Sequence, residues 1–362
     1  MLKALNLWLP SYLRRRRERW DASPETHLMI CVCDHFEPFH GATHEEAIGR
    51  VRLWEREYPS LARGLQDSTG QPPRHTFFHP IEQPGDEVLF GLANLCRSTH
   101  CETEIHLHHN EDTAENLAAT LENGKRELAG HGLLSIDPGG AIRFGFIHGN
   151  WALDNSHPAG AHCGVRNELR VLEKAGCYAD FTMPSAPDPT QTATVNSIYY
   201  ATPTDRPKSH NRGRPARAGI VDPGGLLLVQ GPLGLEWRRR KWGLLPRIEN
   251  ADLTARNPPT VTRLRRWLKI NIHVEGRPGW IFAKLHTHGA IPPNIDMLLG
   301  TQLREFYGGL PRFAAAHRGF HFHYVTAREL VNIVHAAEAG KTGNPGDYRD
   351  FLYTSRLRPP AP

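Results

Sequence analysis

The stretch Glu102-Thr103-Glu104-Ile105-His106-Leu107-His108-His109-Asn110-Glu111-Asp112 gathers imidazole and carboxylate groups into one short segment. Such side chains hold divalent ions and act as general acids and bases. His108 and Asp112, with three residues between them, are spaced to reach one metal ion. On an extended strand successive side chains point to opposite faces. Glu102, Glu104, His106 and His108 then share one face, and Thr103, Ile105, Leu107 and His109 share the other, which is apolar enough to pack on helices. His108 is expected as the ligand and His106 as a residue deeper in the interior. An antiparallel strand with one face in water gives the same alternation, so the reading depends on other segments repeating it.

Several do. The run from His27 to Cys33 leads into Asp34-His35-Phe36-Glu37-Pro38, which places Asp34, His35 and Glu37 at a carboxyl end. In α/β folds that end carries the active site. Ile281 to His288 sets Lys284, His286 and His288 on one face, which makes His286 and His288 candidate proton donors. His75 and His79 share a face, as do His321 and His323. Arg143 to His148 leads into Gly149-Asn150-Trp151-Ala152-Leu153-Asp154, so His148, Asn150, Trp151 and Asp154 are candidates for binding a sugar, whose ring stacks on an aromatic face. A turn cap at Asp34 and a rim plug at Trp151 are the plainer structural alternatives.

To position these groups the chain needs a repeated strand and helix rhythm, and it has one. Strands are expected at 27–34, 74–79, 102–109, 143–150, 177–183, 226–231, 279–287 and 320–326, with helices at 43–67, 86–98, 112–130, 164–175, 259–270, 295–317 and 327–339. This is an α/β pattern that suits a (β/α) barrel of seven or eight strands spanning 26–340, after a basic segment at 1–25 and before a tail at 341–362. Residues 185–225, rich in Pro, Gly, Thr and Arg, form a long irregular insertion of the kind that serves as a lid or stays disordered. Tyr199 and Lys208 within it suit a sugar or its anionic substituents.

The chain has 362 residues and a net charge of +5, with basic runs at 14–17, 206–217, 238–241 and 263–269. These favour an anionic partner, but no nucleic-acid motif accompanies them and no nucleic-acid partner is expected. The six cysteines form no C-x-x-C pair and are expected to be buried and reduced. No apolar run has the length of a membrane span, and the N-terminus lacks a secretory pattern, so a cytoplasmic location is expected. The N-terminal segment, with Leu2, Leu5, Trp8, Leu9 and Leu13 beside four arginines, suits peripheral contact with an anionic membrane.

The order of these motifs resembles the polysaccharide deacetylase (NodB-homology) family. Val32-Cys33-Asp34 resembles its first motif, Glu104-Ile105-His106-Leu107-His108 continued to Asp112 resembles its histidine motif, and Lys284-Leu285-His286 resembles its late strand ending in histidine. The segment Asn167 to Gly176, followed by Ala179-Asp180-Phe181, resembles its substrate-side strand. The resemblance implies a distorted (β/α) barrel and a hydrolase that removes an acetyl group, N-acetyl first, from a saccharide or lipid-linked saccharide. It further implies a divalent ion held by Asp34, His108 and Asp112, zinc first, with manganese, cobalt, nickel or magnesium as other ions. Asp34, His35 or Glu37 would serve as base, and His286 or His288 as acid. The chain departs from the family pattern at Cys33-Asp34-His35, where adjacent aspartates are usual, and at Asp112, where a second histidine is usual. A glycoside hydrolase using carboxylates from Asp34, Glu37, Glu104 and Asp154 and a non-catalytic saccharide-binding protein are the competing readings.

Overall fold

The computed structural model describes residues 4–15, 20, 24–83, 85–221 and 224–357, apart from the side chains of 238 and 239. Nine strands organise it: β1 (Thr26–His35), β2 (Thr76–Pro80), β3 (Glu102–Leu107), β4 (Ile142–His148), β5 (Cys177–Asp180), β6 (Ile198–Ala201), β7 (Leu226–Val229), β8 (Trp280–Thr287) and β9 (Phe320–Tyr324). The order β8-β1-β2-β3-β4-β5-β7 is parallel throughout, and β9 pairs in parallel with the first half of β1. This is a mixed α/β fold with a mostly parallel central sheet. Among the described residues no pairing joins β7 to β8.

The insertion at 185–225 is neither a loose lid nor an irregular excursion throughout. Its β6 pairs antiparallel with β7, and Gly213–Pro215 pairs antiparallel with β6, so it extends the sheet. Short strands flanked by Pro and Gly carry too little periodicity to show this in sequence. The hairpin Gly234–Lys241 with Leu245–Glu249 also has no counterpart among the expected elements.

Strand alternation sorts the core into two layers. Leu28, Ile30, Val32, Phe77, Ile105, Leu107, Phe146 and Leu285 face helices His44–Ala62, Asp86–Thr99 and Ala114–Gly130, meeting Trp54, Leu92 and Leu121. Each such side chain, fully buried, contributes roughly 1.5–3 kcal/mol of transfer free energy. On the opposite face lie Met29, Cys31, Cys33, Phe78, Ile147 and Phe282, packed with Leu330, Val331 and Val334 of the helix Ala327–Glu338. That helix opens with a capping box between Thr326 and Glu329, as its sequence spacing suggests. All six cysteines are buried and free.

Residues 341–357 are tied to this body. Thr354–Ser355 pairs with Ser135–Ile136, and the buried Arg328 guanidinium donates to Glu102 Oε1 at 2.7 and 2.9 Å and to the carbonyls of Arg349 and Tyr353 at 3.0 and 2.6 Å. At the other terminus the helix Leu5–Arg14 buries Trp8 against Ala186, Val195 and Leu233. Leu5 and Leu9 are half-buried beside it, while Leu13 is 67% exposed. Arg15 donates to the carbonyls of Ile270 and Asn271 at 2.7 and 2.8 Å, while Arg16 and Arg17 lie outside the described residues. Among the described residues no helix is long and apolar enough to cross a membrane.

Candidate metal centre

β1 and β3 release their last residues at the same end of the sheet. His106, on β3, faces the interior layer with Glu104, and its Nδ1 lies 2.8 Å from the Ile147 carbonyl. A carbonyl can only accept, so Nδ1 carries the proton and Nε2 is left with a free lone pair. That nitrogen lies 3.2 Å from Glu37 Oε1, just past the end of β1. His108 brings its Nε2 to 2.9 Å from the same oxygen, and Glu82 Oε1 lies 2.7 Å from its Nδ1. The ligand atoms of Glu37, His106 and His108 all lie within 4.8 Å of one another. Two imidazoles, each with its Nδ1 held by a further group, and a carboxylate make a donor set that can hold a metal ion.

Burial pushes the Glu37 carboxyl up, but the imidazoles of His106 and His108 facing it outweigh this and hold it well below the usual carboxylate range. Burial works against a charge on His108, yet Glu37 and Glu82 raise it to about 9. The rings that surround the trio behave in the opposite way. His35 has its ring centre 5.0 Å from His106 and 4.7 Å from His288, with His286 at 6.1 Å. Burial pushes all three down, which favours their neutral forms. His35 Nε2 and His286 Nδ1 are buried with no hydrogen-bond partner. Gly149 is required beside this group, because a Cβ there would collide with the His108 ring.

The expected ligand set of Asp34, His108 and Asp112 does not come together. Asp34 alternates to the helix-facing side of β1, next to Val32, whereas His35 faces the interior with Cys31 and Cys33. Its carboxylate is fully buried and engaged at both oxygens, with His75 Nε2 at 2.8 Å and the Gly289 amide at 2.5 Å. Asp112 Oδ2 lies 3.0 Å from His109 Nδ1 and so belongs with the other face of the strand. Asp34→Ala should therefore cost roughly 2–4 kcal/mol by stranding two buried donors, yet leave the metal content of the folded fraction unchanged. A folded variant that has lost metal would make Asp34 a ligand after all; denaturation and elemental analysis on the same preparation decide.

Of the groups expected to bind a sugar, His148, Asp154 and Tyr199 are buried and used internally. Asp154 Oδ2 accepts from Ser209 N and Oγ at 2.6 and 2.5 Å, and the Tyr199 hydroxyl donates to the His210 carbonyl at 2.6 Å. Asn150 is exposed, Trp151 half-buried, and the half-buried Lys208 donates to the Pro189 carbonyl at 3.1 Å. No protein-family model matches the chain, and no curated protein matches it.

His106, expected deeper in the interior, stands beside Glu37 and His108 and joins their candidate ligand group. The signal was its place two residues before His108 on one strand face. A second group, His109, His148, Cys163 and Glu168, also has its ligand atoms within 4.8 Å of one another. Cys163 and Glu168 lie in a loop and at a helix start, where no periodicity marks them. Buried His, Cys and Glu clusters able to hold a metal ion thus occur on both faces of the sheet.

Two interior carboxyls give the fold a pH signature. Burial raises Glu104 to about 8, against the Tyr178 hydroxyl and the Gly145 amide, and raises Asp180 to about 7, against Thr182. Between about pH 4 and pH 8 the folded chain keeps protons that the unfolded chain has released. This contribution to stability is complete below that window and is lost as the pH rises through it. The denaturation midpoint should fall from pH 5 to about 8, and Glu104→Gln with Asp180→Asn should flatten that slope; an unchanged slope would assign it to other groups.

Proposed function

We propose that the chain is a metal-dependent hydrolase that removes an acetyl group, N-acetyl first, from a saccharide or lipid-linked saccharide, on a distorted (β/α) barrel of the polysaccharide deacetylase kind. The observation that carries the reading is the convergence of Glu37, His106 and His108 at the carboxyl ends of β1 and β3, ringed by further imidazoles. The barrel reading is supported by the approach of the sheet's two ends. A Cβ on Gly231, just past β7, would lie 2.5 Å from the Lys284 carbonyl on β8.

The fit to a divalent ion rests on the free Nε2 of His106 and on one carboxylate oxygen faced by two ring nitrogens. Glu37, His106 and His108 would hold the cation, zinc first for this nitrogen-rich set with manganese, cobalt, nickel or magnesium as alternatives, and it would supply a Lewis acid for the acetyl carbonyl. Burial favours the neutral form of His35, and its Nε2 is partnerless, which suits it to take the proton of an attacking water. His288, less buried than His35 and with its ring centre 4.7 Å away, is suited to pass the proton that His35 has taken from the water on to the departing amine, which leaves both imidazoles neutral again. Trp151 follows the Gly149 that packs on His108, and offers a sugar ring its aromatic face. A lipid-linked substrate finds a complementary surface on the hairpin, where Trp242 and Leu244 are each 76% exposed next to Lys241.

Metal analysis of protein purified without chelator, beside an acetate-release screen on acetylated saccharides, tests the reading. Metal-dependent acetate release is the expected result. Cleaved glycan without released acetate and without a metal requirement would favour a glycoside hydrolase, although Asp34, Glu104 and Asp154 are buried and do not form an open carboxylate pair with Glu37. Bound saccharide with metal present and no product would favour a binding protein.

A further inference from the structure

We propose a second, structural zinc site formed by His109, His148, Cys163 and Glu168 on the helix-facing side of the sheet. The four residues come from four places: the turn after β3, the end of β4, the loop that follows it, and the first residue of the helix Glu168–Ala175. Their ligand atoms all lie within 4.8 Å of one another, with His109 Nε2 at 3.0 Å and His148 Nε2 at 3.4 Å from Glu168 Oε1, and Cys163 Sγ at 3.5 Å from Glu168 Oε2. Zinc bonds of about 2.0–2.3 Å in a tetrahedron put ligand atoms roughly 3.3–3.8 Å apart. The three separations to Glu168, 3.0, 3.4 and 3.5 Å, are close to that spacing, and the remaining pairs lie within 4.8 Å.

The orientation of the two histidines points the same way. His109 Nδ1 is held at 3.0 Å from Asp112 Oδ2, and His148 Nδ1 at 2.5 Å from the Gly149 carbonyl. A carboxylate and a backbone carbonyl are the partners that fix the Nδ1–H form of a metal-bound imidazole and aim its Nε2 lone pair at the ion. His148 is fully buried, and its Nε2 has no hydrogen-bond partner. His148, Cys163 and Glu168 have no exposure, and His109 little, so the site is closed, as structural zinc sites are. The mixed nitrogen, sulfur and oxygen set favours zinc over magnesium or calcium. Binding displaces the Cys163 thiol proton to solvent and forms the metal–thiolate bond, with no change of oxidation state.

The site's work is to clip the loop at 149–167 across the sheet. Glu168 Oε2 also accepts from the Asp154 amide at 2.5 Å, and the Cys163 carbonyl accepts from the Asp112 amide at 2.9 Å. The ion therefore fastens the loop carrying Asn150 and Trp151 to the strand that carries His106 and His108.

The test uses the full chain. Zinc is exchanged for cobalt(II), whose thiolate complexes give a near-ultraviolet charge-transfer band that the Glu37 group, lacking sulfur, cannot give. We expect the band in the wild type, its loss in Cys163→Ser with one fewer equivalent of zinc, and its retention in Glu37→Gln and Cys31→Ser. Absence of the band from wild-type protein whose circular dichroism shows it folded would overturn the site, as would its persistence in Cys163→Ser. Should Cys163→Ser fail to fold, zinc K-edge absorption of the wild type decides: a single sulfur neighbour supports the site, and none refutes it. Wild-type protein that gives the band but binds no second equivalent of metal would count against the proposed hydrolase centre and leave this site standing.

Discussion

Glu37→Gln is expected to lower metal-dependent acetate release by about 100-fold or more, the loss typical of removing one essential charged group from a catalytic set. The substitution keeps the shape of the side chain but removes the charge that His106 and His108 both address. It also removes one of the two carboxylates that raise His108, so that imidazole becomes easier to deprotonate and the group loses its net attraction for a cation. His106→Ala should act as severely, and the double variant should be little worse than either single one, because residues that act as a unit are not additive. Rates measured at saturating zinc separate lost affinity from lost chemistry. Full activity in Glu37→Gln would remove the trio from the reaction.

The second large effect concerns stability. Arg328→Met should cost about 3–5 kcal/mol, because it leaves the largely enclosed Glu102 carboxylate, 12% exposed, without its charged partner. The guanidinium is 3% exposed and satisfies Glu102, Asp350 and two backbone carbonyls at once. Deleting 349–362 should cost much of the same free energy, and the two changes combined should fall well short of their sum. Urea denaturation of the three proteins checks this; a loss below about 1 kcal/mol for Arg328→Met would mean that solvent replaces the pair.

The alternation of 102–109 was legible because a strand imposes a period of two on every residue, and the structure assigns its two faces as that period requires. The strand positions and the Thr326 capping box were legible for the same reason, since periodicity and capping are local. The ligand grouping was not. Asp34 follows the apolar run as a catalytic aspartate would, but one step of alternation turns it to the helices, where His75 takes it up. Glu82, Cys163 and Glu168 reach their clusters through loops and a helix start, where direction is set by tertiary closure rather than by any local rule. The insertion was misread for a related reason: β6 is only four residues long, and its partner β7 lies across a turn-rich stretch.

His108 and His109 are neighbours in the chain and belong to different clusters on opposite sides of the sheet. The segment that carries them is therefore a ruler whose graduations cannot be moved. Adding or removing one residue between Leu107 and His109 would carry each imidazole to the wrong side of the sheet, as a register shift does to any strand. In a library of insertions, deletions and substitutions across 106–109, variants that stay folded and metallated should keep the number of residues from His106 to His109 unchanged and an apolar side chain at position 107.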